Sequence, residues 1–404
     1  MKKLILLFLI GLTFIQVQAQ THPTYKGLVM AGYQGWFNTP EDGEKRGWHH
    51  LGKNDAMKPG SCNIDLWPDV SEYPVTYNTG FNFANGKCAK IFSSSDESTV
   101  FTHFRWMKEY GIDGVFMQRF VAEIRNPGGL SHFNKVLASA MKASKKYNRA
   151  ISIMYDLSGM KVGEEKLVLQ DIDQLTAGFN LFDKVKCSSY LYQNNKPLVC
   201  VWGIGFNDHR AYGLKESGFI IDGLKKRGFS VMIGVPTYWR ELKTDTEKDE
   251  KLHALIKKCD IVLPWFVGRY NEKSYPDFKP GIKEDIRWCN ENKVDYVPLV
   301  FPGFSWRNMK GPTTNQIQRN KGSFLWKQIS GAIESGAEMI YVAMFDEMDE
   351  GTAIFKCVTE APVGESKFVT IEQGLKPDYY LWLVGEAGRM LKHKIPFSTM
   401  IPVR

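Results

Sequence analysis

The chain reads as a single (β/α)8 barrel with extended loops, and three observations predict it. Eight short apolar runs recur along the 404 residues, each closing on polar, aromatic or glycine residues. The runs are apolar on both faces, as parallel strands buried between helices are. Amphipathic stretches of helical period separate them, and no Pro/Ser-rich linker, charge block or low-complexity tract divides the chain.

In order, the chain opens with Met1-Lys2-Lys3, an apolar run over 4–15, and Val17-Gln18-Ala19. A charged start, hydrophobic middle and small-residue exit make residues 1–19 a secretory signal, leaving 20–404 as the barrel domain. No cysteine follows for lipid attachment, and no later run is long enough to span a bilayer, so a soluble periplasmic or extracellular product is expected. The strands fall at 28–37, 114–120, 150–155, 197–202, 230–235, 261–266, 296–301 and 339–345. Ser94-x-x-Glu97 reads as a capping box before the first helix, with Gly111 as its stop. Ser131 opens the second helix, and later helices are expected over 171–182, 209–228, 246–259, 283–292, 322–336 and 377–391. The largest excess, 38–95, follows the first strand and is expected to cap one side of the mouth, with room for a small hairpin.

The formal charge of +8 falls to +6 once Lys2 and Lys3 are removed. Lys145-Lys146, Lys225-Lys226-Arg227 and Lys257-Lys258 each close an amphipathic stretch, where cations suit the helix dipole, so no nucleic-acid surface is expected. Seven cysteines are few and odd in number, with no Cys-x-x-Cys pair or Cys/His cluster. No metal and no cofactor are expected; Cys62 with Cys88 is the first disulfide to test. Gly203-Ile204-Gly205 is too short for a dinucleotide loop and reads as a turn.

The segment Ala343-Met344-Phe345-Asp346-Glu347-Met348-Asp349-Glu350-Gly351-Thr352 runs an apolar strand into four carboxylates. No packed core needs that. Glu347 and Glu350 stand three apart, which places two carboxyls on one side of a tight turn. Like charges so close push one proton affinity up and leave the other low, giving an acid and a base at one pH. In a barrel this position, after the eighth strand, is the active face. The other strand ends supply Tyr33, Gln34 and Trp36, then Gln118 and Arg119, Tyr155 and Asp156, Trp202, Tyr238, Trp265 with Tyr270, and Trp306 with Arg307. With Asp346 and Asp349 these are the candidate substrate-binding residues. Aromatic faces interleaved with carboxylates, amides and arginine suit pyranose rings, which present apolar C–H faces and hydroxyl rims. Asp156 reads equally as an orienting group or a helix N-cap. His49, His50 and Asp65, in the long loop, read as cap packing or substrate contacts.

The ending Asp346-Glu347-Met348-Asp349-Glu350-Gly351-Thr352 resembles the motif Asn-Glu-Trp-x-Glu-Gly-Thr of glycoside hydrolase family 99, in the clan that family shares with family 71. Gly32-Tyr33-Gln34-Gly35-Trp36-Phe37 is similar to that family's aromatic first-strand end. Asp346 stands where the motif has Asn, and Met348 where it has Trp. The resemblance implies a retaining, metal-independent endo-acting enzyme on internal α-1,2-linked mannose. It implies Glu350 as general acid and then base, and Glu347 as the carboxylate that deprotonates the sugar's own 2-hydroxyl, with a 1,2-anhydro intermediate. The expected partner is an oligo- or polysaccharide, and the expected state a monomer. Two alternatives stay open: an inverting enzyme of the family 71 α-glucanase kind that recruits Asp346 or Asp349, and a silent glycan-binding barrel.

Overall fold

The computed structural model describes residues 21–312 and 316–404; the leader expected over 1–19 lies outside them. The barrel strands are Val29–Tyr33, Gly114–Phe120, Ala150–Asp156, Lys196–Trp202, Ser230–Val235, Ile261–Pro264, a seventh in two pieces, and Ile340–Val342. All pair in parallel, each with its sequence neighbour. The seventh strand is split at Pro298, which has no N–H for a ladder. Its first piece, Asp295–Tyr296, pairs with the sixth strand, and its second, Leu299–Val300, pairs with the eighth. The eighth pairs with the first, so the ring closes as a (β/α)8 barrel.

Helices Glu97–Tyr110, Pro127–Tyr147, Glu165–Phe179, Leu214–Lys226, Lys251–Ile256, Tyr275–Glu291, Ser323–Glu334 and Tyr379–Leu391 lie between the strands and after the last one. Several start away from the expected residue. The helix expected from 131 begins at Pro127, and the one expected from 283 begins at Tyr275, each with proline in its first turn. Proline suits that position because its missing N–H would have no helical partner there. The capping box does not form. Asp96 is the N-cap of Glu97–Tyr110 without a side-chain cap bond, and Ser94 Oγ accepts from Phe37 N instead, clamping the end of the first strand. Gly111 does end that helix, in the left-handed region at φ 80°.

The long loop holds the hairpin Tyr77–Asn82 with Cys88–Ile91 and docks on the barrel mouth. Asp65 N and Leu66 N donate to Met348 O, and the Asp65 carboxylate accepts from Arg307 N at 2.7 Å, Asn308 N at 2.8 Å and Ser305 Oγ. The Cys62–Cys88 pairing is not present: all seven cysteines are free, with Cys62 buried and Cys88 exposed on the hairpin. Among the described residues no helix is long and apolar enough to cross a membrane.

Candidate active site

The turn after the eighth strand is held from four sides. Asp346, fully buried, accepts from Gln34 N at 2.7 Å and Gly35 N at 2.9 Å, tying the eighth strand end to the first. The cap holds Met348 O; Ser305 N donates to Glu350 O; and Arg319 Nη2 donates to Gly351 O and Ala353 O. Gly351 sits at φ 64°, and a Cβ there would meet Ser305 at 3.2 Å, so the turn needs glycine for both reasons. Thr352 Oγ1 donates to Glu347 Oε2 at 2.8 Å, and Gln34 Nε2 donates to Glu347 Oε1 at 2.5 Å. The Gly-Thr of the motif thus shapes the turn and orients Glu347.

All four carboxyls of the turn hold their protons above the ordinary range. Burial raises Asp346 to about 7, with the two backbone donors opposing. Burial raises Asp349 and Glu350 each to about 8, with Asp349 adding to the shift on Glu350 and Trp306 opposing it. Glu347 is raised by burial and then by Glu350 and Asp349, while Thr352 and Gln34 oppose. Glu347 and Glu350 are near enough for the charge on Glu350 to raise Glu347. This has a consequence for stability. The unfolded carboxyls titrate near pH 4, so between about pH 4 and pH 8 the folded state binds more protons than the unfolded state. Stability therefore falls as pH rises through that window. The unfolding midpoint is expected to be higher at pH 5 than at pH 8, and Asp349→Asn is expected to flatten that slope by raising the midpoint at pH 8. Thermal unfolding across the range checks both.

Pairing register explains which strand-end residues reach the mouth. Phe120, Asp156, Trp202 and Gly234 are register partners in one inward-facing layer. Gly234 makes room for its neighbour: a Cβ there would lie 2.2 Å from the Trp202 indole. Trp202 meets Trp265 edge to face at 5.1 Å, and Trp265 lies 6.3 Å from Tyr341 inside the barrel. Asp156 accepts from Ser158 N at 2.7 Å and is near enough to raise Glu350. Gln118 points inward with its Nε2 on Met154 Sδ at 3.4 Å. Trp306 and Tyr238 are half-buried at the rim, with Lys310 and Lys243 over their rings.

The other parity turns away. Tyr33 is fully buried and bonds His103 Nδ1 at 2.8 Å beneath the first helix. Arg119 pairs both oxygens of Asp171, at 2.5 and 2.7 Å, and Tyr155 OH donates to the same carboxylate. Tyr270 bonds Gln328 and packs among Phe278, Phe301 and Phe324 against the outer helices. These four are therefore placed off the mouth. Arg307 reaches the surface, its backbone N–H on Asp65. Asp346 orients the first strand end, each of its oxygens taken by a backbone N–H.

Two residues that the sequence left open are placed by the structure. His50 bonds Asp349 Oδ2 through Nδ1 at 2.8 Å and stacks on Trp36. Asp65 anchors the cap. The carboxylate that His50 meets and the backbone that Asp65 holds lie hundreds of residues away, so the sequence did not decide between cap packing and substrate contact. Around the turn, Gln34 Oε1, Trp36 Nε1, Gln118 Oε1, Trp202 Nε1 and Asp349 Oδ1 are buried without a partner among the described residues. Buried polar atoms are ordinarily paired, so these donors and acceptors leave hydrogen-bonding capacity beside the turn unused.

A barrel mouth with a close glutamate pair and aromatic walls belongs to the architecture on which glycoside hydrolases are built. The comparisons find two likenesses, in sequence to endo-α-mannosidases and in fold to a solved GH99 enzyme. The chain is 19% identical over 369 residues to glycoprotein endo-α-1,2-mannosidase of Mus musculus and 18% identical over 359 residues to that of Rattus norvegicus, each match spanning 85% of this chain and 71% of the relative. A solved GH99 endo-α-mannosidase of Bacteroides thetaiotaomicron superposes with a TM-score of 0.66 at 15% identity, covering 92% of this chain and 99% of that one. A protein described as glycoside hydrolase-like superposes at 0.53, at 13% identity, over 80% of this chain and 92% of its own. No family model matches the chain.

Proposed function

We propose that this protein is an exported, endo-acting glycoside hydrolase of internal α-mannosidic linkages, with Glu347 and Glu350 as its catalytic pair. The observation that carries the reading is the Glu347–Glu350 pair in the turn after the eighth strand, close enough that the charge on Glu350 raises Glu347. Export rests on the leader-like residues 1–19, and the linkage on the endo-α-mannosidases that the chain resembles.

The two glutamates differ in their surroundings. Glu347 accepts from Gln34 and Thr352, one donor on each oxygen, and both bonds favour its charged form. Glu350 is more open to the mouth, and Asp349 and Asp156 both favour its proton. Glu350 is therefore the general acid that protonates the leaving oxygen and later activates water. The resemblance makes Glu347 the partner at the sugar, its charged form supported by Gln34 and Thr352 against the burial that raises it. A retaining course is what the family 99 resemblance implies, and the first-formed anomer, read by proton NMR, distinguishes it from inversion. The test of the whole reading is a product profile over a panel of α-linked polysaccharides. Internal cleavage of an α-mannan to oligosaccharides is expected; release of monosaccharide alone, or no turnover on any α-mannan, would overturn it.

Trp265 and Trp306 are half-buried walls of the mouth, so their truncation should cost binding and spare the fold. Trp265→Ala or Trp306→Ala is expected to weaken oligosaccharide binding by about 1–3 kcal/mol, the scale of a stacked, partly desolvated aromatic. Calorimetric titration against the wild type, paired with unfolding midpoints, checks both halves.

A further inference from the structure

The imidazole of His50, carried by the cap, lies face to face on Trp36, with centroids 3.7 Å apart and planes 4° from parallel. Phe120 covers the other side of Trp36 at 4.8 Å. Trp36 is thus sandwiched and has no face to offer a sugar; what remains is its buried, unpartnered indole N–H. The same imidazole bonds Asp349 Oδ2 through Nδ1, and Asp349 Oδ1, on a residue 1% exposed, has no partner among the described residues. Wherever the proton sits between Nδ1 and Oδ2, Oδ1 is an acceptor.

We propose that His50 is a positioning residue that fixes Trp36 and Asp349 as a donor–acceptor pair, Trp36 Nε1 and Asp349 Oδ1, for hydroxyls of the sugar bound beside Glu350. The inference rests on the hydrolase reading and adds to it a recognition device supplied by the cap. A hydroxyl can accept from Nε1 or donate to Oδ1, and either atom stays buried and unpaired when its hydroxyl is missing. Because the device recognises a part of the sugar that does not react, its loss falls on binding.

The experiment measures kcat and KM on α-1,2-linked mannotetraose and on its monodeoxy analogues. His50→Phe keeps the stack on Trp36 and loses the bond to Asp349; His50→Asn restores a side-chain amide near the place of Nδ1. His50→Phe is expected to raise KM about tenfold with kcat little changed, and His50→Asn to recover part of it. One monodeoxy analogue, penalised about tenfold by the wild type, should lose that penalty in His50→Phe. A merely structural role would weaken all substrates alike. Wild-type turnover with KM and deoxy discrimination unmoved by His50→Phe, or equal losses in both variants, would overturn the positioning role alone. Absence of wild-type turnover on the α-mannan panel would overturn the hydrolase reading and this inference with it.

Discussion

Glu350→Gln and Glu347→Gln are each expected to lower turnover by at least about a hundredfold while the protein stays folded, because positioned general acid–base groups contribute about 10²–10⁴. The fold should survive because neither carboxyl pairs with a buried cation that its loss would strand. Each is instead a buried group held above its ordinary proton affinity, so a neutral amide relieves a cost. Sites of this kind trade stability for function, and the variants should unfold at a slightly higher temperature than the wild type at pH 8. An aryl glycoside with a low-pKa leaving group needs little help from an acid, so it should partly restore the rate of Glu350→Gln and not that of Glu347→Gln. Rescue of Glu347→Gln instead would exchange the two roles. Kinetics on both substrate types, with circular dichroism for the fold, decide it.

Arg119→Ala is expected to destabilise the protein by about 3–5 kcal/mol, the cost of stranding one member of a buried ion pair. Arg119 is 1% exposed and grips both oxygens of Asp171, while its Nη2 also donates to Asn134 at 2.9 Å. Tyr155 OH completes the ring of donors on that carboxylate. Removal of the guanidinium leaves Asp171 buried with the tyrosine hydroxyl as its remaining donor in this network. The surviving folded fraction should keep the wild-type KM, because this network lies between strands and helices. Denaturant unfolding gives the first quantity and kinetics the second; an unchanged midpoint with a raised KM would return Arg119 to the substrate.

The contrast between Arg119 and Gln118 shows how far the sequence could be read. Buried parallel strands are apolar on both faces, so their period of two is hidden, and inward and outward positions look alike. All eight strands were legible from their apolar runs, and the carboxylate turn from its charge density. Which of two adjacent polar strand ends met the mouth was not: Gln118 and Asp156 point inward, Arg119 and Tyr155 outward, and only register tells them apart. Tyr33 shares the outward parity and is core. The capping box failed for a related reason. Ser94 carries the right side chain at the right spacing, yet the end of the first strand, 57 residues away, took its hydroxyl. His50 and Asp65 were illegible because their roles exist only through contacts across the fold.

The most direct test of the central claim is a crystal structure of Glu350→Gln with an α-mannan oligosaccharide bound. A chain of sugars is expected across the mouth, with one glycosidic oxygen within about 2.6–3.2 Å of the residue 350 side chain. Glu347 should lie beside the sugar whose linkage is cleaved, with Trp202, Trp265 and Trp306 along the walls. An oligosaccharide bound away from the eighth-strand turn, with no glycosidic oxygen near residue 350, would contradict it.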